Sequence, residues 1–363
     1  MSPIKKIIKW LEERINLTEI FSFFSAFGLY YGEIDTKDSI EEALKKASIK
    51  ELPPYGKWPH VLGILTFLLF VFQIITGMLL AFYYQPTLLS AYESTREIIR
   101  DISFGWLIFN IHRWGADLLI IILIFRIARF FYHQVWEKPR ELFWIIGIAI
   151  LIVSMGSFLT GKLLPFDQNS YWSTVRNLEI IEKIPLIASI FNFLVGGFLI
   201  EEGTIIRFYF LHIVVFPLLL WILFYLHFST VRRVGLSALE LKKEEKITFY
   251  PSHLFSLLTA TFIIIFILVT LSVFFSFRLM GKADPLKTPS GTGPSWFMLF
   301  LIPVIEYIPW GLGGFLVLLL LILLFLFPFF GERIFRSKTL TKVLTFFFVF
   351  LYLILSFWGF RIK

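Results

Sequence analysis

TIIRFYFLHIVVFPLLLWILFYLHFST, residues 204–230, holds two histidines, His212 and His227, in a stretch with no Asp, Glu, Lys or Arg beyond Arg207. A soluble core helix seldom needs an apolar run beyond about 14 residues, whereas crossing a bilayer takes about 20, so this stretch reads as a transmembrane helix. Ionisable side chains are costly inside a membrane and mark functional sites there. The two imidazoles stand fifteen positions apart, which is about four helical turns, or roughly 22 Å, within about 60° of one helix side. Two histidines so spaced point to two sites stacked at two depths.

The rest of the chain agrees. Of 363 residues 57% are hydrophobic and 19% aromatic, and the mean hydropathy is +0.78, too apolar for a soluble domain of this length. Seven spans are expected near 60–83, 104–132, 141–162, 205–231, 252–277, 312–330 and 343–360. Residues 1–25 read as an amphipathic surface helix, with no apolar signal core before Asn16. Residues 32–57, with Pro53 and Pro54, read as a linker. The loop 163–204 is long enough to hold short surface helices. The apolar stretch Trp296–Ile308 is too short to span and reads as a re-entrant or surface helix.

The net charge of +8 reflects basic loops on one membrane side rather than nucleic-acid binding, for which no motif is present. Arg126 and Arg129 at the end of the second span join Lys138 and Arg140 in the connection to the third. Arg232, Arg233, Lys242, Lys243 and Lys246 follow the fourth, and Arg333, Arg336, Lys338 and Lys342 separate the last two. The opposite loops are mixed or acidic (Glu97, Asp101, Glu179, Glu182, Glu201, Glu202). The positive-inside rule therefore expects a cytoplasmic N-terminus in the inner (cytoplasmic) membrane and Lys363 outside. With no cysteine, this chain cannot ligate an iron–sulfur cluster by thiolate, attach haem by thioether or form a disulfide. Any redox centre in it must use histidine.

His112 is the third histidine within a span. Glycine reinforces the two-depth pattern: Gly63 and Gly77 in the first span, and Gly147 and Gly161 in the third, are each fourteen residues apart. That separation again puts them on one face. A flat macrocycle wedged between helices requires positions without a Cβ. Small-residue helix packing gives the same spacing, and the histidines favour the macrocycle.

At this point specific motifs accumulate: FYYQP (82–86), FGWLIFNIHRWGAD (104–117), KPREL (138–142), LLPFDQNSYW (163–172) and TIIRFYFLH (204–212). Later come ADPLKTPSGTGPSW (283–296) and IPWGLGG (308–314). Together they resemble cytochrome b of bc-type quinol-oxidising complexes, most closely the chloroplast type fused to its subunit IV. The resemblance implies an all-α integral membrane protein, with a four-helix haem-binding part followed by three further spans. The corresponding division is 1–57 (surface helix and linker), 58–236 (haem domain) and 237–363 (three-helix domain with a quinol-site-like loop). It further implies b-type haem, a quinone or quinol ligand, membrane lipid, a dimer, and separate iron–sulfur and c-type cytochrome partners. By position His112 and His212 are the axial ligands of the outer haem; Arg113 and Arg129 either pair haem propionates as in the family or snorkel to the interface.

Several positions depart from the family. His227 stands where a second haem takes one ligand, but its counterpart, fourteen residues past His112, is Arg126, and a guanidinium is a poor iron ligand. His133 lies about 10 Å further along the helix. Three arrangements are open: no second haem, with Arg126 in its space; a haem held by His227 with Arg126 pairing a propionate; or a site completed by a ligand from another chain or a register change. In the quinol-site motif Pro294-Ser295-Trp296-Phe297, Ser295 replaces the glutamate that accepts a proton from quinol in the family, a role that a neutral hydroxyl cannot fill. Phe109 replaces an arginine, and Ser256 and Leu257 replace a charged pair. Glu306 is a candidate replacement acceptor or a surface residue; Asp117 is a proton group or an arginine partner. His60 and His253 read as interfacial.

The function this implies is a haem-bearing electron-transfer subunit of a divergent bc-type complex. The alternative is a single-haem conduit or anchor of another respiratory oxidoreductase that does not bifurcate quinol oxidation. A scaffold has no use for paired buried imidazoles, and no repeat or paired broken helix indicates a transporter.

Overall fold

The computed structural model describes residues 62–362 apart from 198, 235–246, 249, 252–253, 310 and 336, together with residues 42, 45, 51 and 52. The expected N-terminal surface helix, His60 and His253 lie outside the described residues.

Long apolar runs become long helices: α1 Leu62–Ala81, α3 Gly105–Tyr132, α4 Glu141–Leu163, α9 Leu254–Phe274, α11 Leu312–Ile334 and α12 Lys338–Ile362. A further run, α7 Glu202–Phe210 and α8 Phe216–Val234, is continuous through a π-helical turn at Leu211–Val215. Shorter helices lie between them: α2 Ala91–Arg100, α5 Gln168–Glu182, α6 Ile187–Val195 and α10 Leu301–Tyr307. Residues 51–52 and 247–248 form one two-residue antiparallel pairing.

Among the described residues, six helices are both long and apolar enough to cross a membrane. The expected second span, α3, is not one of the six. Its 28 residues give about 42 Å, ample for a bilayer, but Arg113, Asp117, Arg126 and Arg129 interrupt its apolar character. The other spans leave large apolar side chains outward: Phe346, Phe350 and Phe357 on α12 are 68, 64 and 65% exposed. Such a surface suits lipid, not water.

By its contacts the chain divides into two compact units, one of residues 1–68 and 223–266, the other of 69–222 and 267–363. In the first unit Phe67 packs edge-on against Phe224 and Phe228, at 5.5 and 5.3 Å between ring centroids. In the second unit α3 packs on α4, α4 on α11, and α3 on α12.

The loop after α4 does hold short helices, α5 and α6. Asp167 caps α5: its Oδ1 accepts from the Ser170 amide at 2.8 Å, and the Ser170 hydroxyl binds the Asp167 amide in return. Asp167 Oδ2 accepts from the Met280 amide at 2.9 Å. Gln168 extends the seam with bonds to Lys287 O and the Asp284 amide, and Trp172 donates to Asp284 O. Two motifs more than a hundred residues apart are thus stitched along their backbones. Tyr84, of FYYQP, donates to Leu164 O at 2.7 Å. Burial, with Tyr209 beside it, pushes the Tyr84 phenol well above its ordinary range, so it remains a donor. Helix α2 is amphipathic, burying Ala91, Ser94, Thr95 and Ile98; the sequence reading had no element there.

Candidate functional site

His112 lies in the first third of α3 and His212 in the π-helical turn between α7 and α8. The turn has a local cause. Pro217 has no amide hydrogen, and its ring crowds the carbonyl four residues back. The wider turn relieves this, with the Phe216 amide bonding Leu211 O. The two imidazoles come together with ring centroids 6.0 Å apart and planes at 84°.

Hydrogen bonds fix which nitrogen each ring offers. Thr76 Oγ1 donates its proton to Phe72 O at 2.7 Å, so its contact of 2.9 Å with His112 Nδ1 makes that nitrogen the donor. His212 Nδ1 donates to the Ser157 carbonyl at 2.8 Å. Both protons therefore sit on Nδ1, leaving the Nε2 lone pairs for a metal. Two imidazoles sharing one metal, with bonds of about 2 Å each and roughly 1 Å from nitrogen to ring centre, need about 6 Å between centroids. The observed spacing meets that requirement.

The glycines supply the clearance. A Cβ on Gly77 would stand 3.1 Å from His112 Cε1, and one on Gly161 2.5 Å from His212 Cε1. Each glycine lets an imidazole lie against the neighbouring helix backbone. Gln73 Nε2 bonds His112 O at 3.0 Å and packs against Gly115. Thr76, Ser157 and Gln73 were not identified from sequence, since nothing in a hydroxyl or amide on an apolar helix marks its partner.

Arg113 rests its guanidinium over the Phe277 ring at 4.3 Å and near Phe109 at 5.8 Å, and is electrostatically coupled to Asp167 and Asp117. Phe277 is held in place by its amide's bond to Asn110 Oδ1, at 2.6 Å. Lys162, at the end of α4, faces the same two carboxylates. Arg129 lies one turn before the end of α3.

The second set of candidates has a different setting. Arg126 is only 2% exposed, with its guanidinium 5.1 Å from the Phe130 ring centre. The face of Gly147 is taken by side chains: a Cβ there would meet Phe130 at 3.0 Å and Ile127 at 3.4 Å. His227, in the other unit, is buried with its ring 5.6 Å from Phe228. A Cβ on Gly63 would meet nothing within 4 Å. His133 caps the end of α3 beside Tyr132. Ser256 and Leu257 occupy the first turn of α9.

In the quinol-site-like loop, Ser295 is buried and doubly held. Its amide donates to Asn177 Oδ1 at 2.8 Å, and Asn177 Nδ2 donates to its hydroxyl at 3.1 Å. Trp296 Nε1 donates to Asp117 Oδ1 at 2.8 Å. Glu306 is exposed, with Lys183 Nζ 4.0 Å away.

The family model "Cytochrome b/b6/petB" matches residues 50–235, and "Cytochrome b(C-terminal)/b6/petD" matches 282–362. Cytochrome b6 of Porphyra purpurea is 32% identical over 235 residues, 64% of this chain and 99% of the relative. Cytochrome b6 of Euglena gracilis is 36% identical over 208 residues, 57% of this chain and 97% of the relative. A solved chain of "Hyperthermophilic respiratory Complex III" superposes with a TM-score of 0.73 at 26% identity, covering 98% of this chain and 97% of that one. With both halves matched, the chain belongs to the cytochrome b family, the membrane subunits of bc- and b6f-type quinol-oxidising complexes.

Proposed function

We propose that this chain is the haem-bearing electron-transfer subunit of a divergent bc-type complex, with one b-type haem held by His112 and His212. The observation that carries the reading is the 6.0 Å imidazole pair with both Nδ1 protons engaged. Two neutral imidazoles favour a six-coordinate iron that exchanges single electrons with little rearrangement. Gly77 and Gly161 leave the two imidazoles room to lie against the neighbouring helix backbones. Arg113 is the cation nearest the ligands and is suited to a propionate.

A single haem is supported by Arg126, which cannot ligate iron. The departures at Ser295, Ser256 and Leu257 support a quinol reaction modified from the family's. Basic loops after the second, fourth and sixth spans support a cytoplasmic N-terminus in the cytoplasmic membrane. Family membership supports an iron–sulfur protein and a c-type cytochrome as partners, and a dimer.

The test is a reduced-minus-oxidised spectrum with a haem-to-protein ratio. One low-spin haem per chain is expected, and His212→Ala abolishes its signal. A full spectrum in that variant overturns the ligand assignment; two haems per chain overturn the single-haem reading.

A further inference from the structure

A neutral serine hydroxyl cannot act as the proton acceptor for quinol. Ser295 is a structural anchor: its amide and hydroxyl are both engaged by Asn177. Glu306 is exposed beside Lys183. Asp117 sits differently. It projects from α3, where an uncompensated carboxylate within a span is costly. Its Oδ1 accepts from the indole of Trp296, the residue directly after Ser295. Its Oδ2 takes no hydrogen bond among the described residues, and the side chain keeps accessible surface.

We propose that Asp117 is the catalytic residue that takes a proton from quinol, in place of the glutamate that Ser295 displaces. The carboxylate has moved to α3 and reaches the same loop through Trp296. The inference rests on the quinol-linked reading above. In the step, a quinol hydroxyl O–H bond breaks and an O–H bond forms on Asp117. The two electrons would leave singly, to the one-electron acceptors that a haem held by this chain and an iron–sulfur partner would supply. The second proton goes to solvent and quinone is the product. The charged groups facing Asp117 are Arg113 on its own helix and Lys162 from α4. Asp167, at the start of α5, acts on those same two cations. Trp296 contributes only its hydrogen bond. A bare counter-ion role for Asp117 is the competing explanation, and the two differ in what a restored glutamate does.

The experiment is a double-variant cycle in the purified native complex, with a short-chain benzoquinol as donor, a soluble c-type cytochrome as acceptor, and rates expressed per haem. General-base catalysis contributes about 10²–10⁴-fold, so Asp117→Asn is expected to slow quinol oxidation at least 100-fold. In a Ser295→Glu background the same change is expected to cost less than tenfold, because a second acceptor is present. Asp117→Glu is expected to retain activity. An equal cost of Asp117→Asn in both backgrounds, or a cost below twofold in the native one, overturns the proposal. A wild-type complex whose haem is reduced by dithionite but never by quinol overturns the quinol-linked reading itself, and this inference with it.

Discussion

A methyl group added at Gly161 tests the haem slot most directly. A Cβ there would stand 2.5, 2.9 and 3.0 Å from Cε1, Nδ1 and Nε2 of His212. Against an ordinary contact floor of 3.4 Å, the shortfall at Cε1 is 0.9 Å. The imidazole has no easy retreat, because its Nδ1 is tied to Ser157 O at 2.8 Å. At Gly77 the nearest His112 atom is 3.1 Å away, a shortfall of 0.3 Å against the same floor. Functional constellations tolerate displacements of about 0.5 Å. Gly161→Ala therefore exceeds the tolerance and Gly77→Ala does not. The expected result is a haem-to-protein ratio near zero for Gly161→Ala and near the native value for Gly77→Ala. Absorbance of dithionite-reduced protein, normalised to chain concentration, reads both. Equal haem content in the two variants would refute the close-approach argument, and so would a native ratio in Gly161→Ala.

Thr76→Val keeps the shape but removes the acceptor for His112 Nδ1; partners of this kind are worth about 10–100-fold in metal-centre affinity. Haem transfer to an excess of an apo-haem acceptor should speed up by that factor, and an unchanged rate sinks the tautomer assignment. Asn177→Ala strips two hydrogen bonds from buried Ser295, at about 1–3 kcal/mol for each group left unsatisfied. A thermal midpoint lowered by several degrees, at about 2–4 °C per kcal/mol for a domain of 150–250 residues, is the measure. A native midpoint would show that Ser295 is anchored by other means. Asp167→Ala loses the α5 cap and the Met280 amide contact, with about 1–2 kcal/mol from the cap alone. Limited proteolysis should then cut within residues 278–290, and an intact loop would contradict the seam.

Much of this molecule is legible in its one-dimensional pattern, for a physical reason. A bilayer demands about 20 apolar residues per crossing, so helices announce themselves by length. The expected spans at 60–83, 141–162 and 312–330 lie within a few residues of α1, α4 and α11. Histidine is equally conspicuous on such a background, and His112 and His212 stand out because charge-bearing groups rarely occur there. Helix α2 was not legible, since ten residues of mixed polarity between two spans carry no membrane signature. The π-helical turn at His212 was hidden as well: Pro217 signals a local break, but not which carbonyls re-pair.

What only the tertiary structure decides is which groups meet. Asp117 and Trp296 lie 179 positions apart, and neither residue names the other. The same holds for Asn177 with Ser295 and for Thr76 with His112. Hydropathy is a property of each residue alone and sums along a helix, so sequence determines that the chain crosses a membrane and which side chains are anomalous there. A hydrogen bond depends on distances of about 3 Å between atoms brought together by packing. The partners of the imidazole nitrogens and the bond between Asp117 and Trp296 therefore come only from the folded chain.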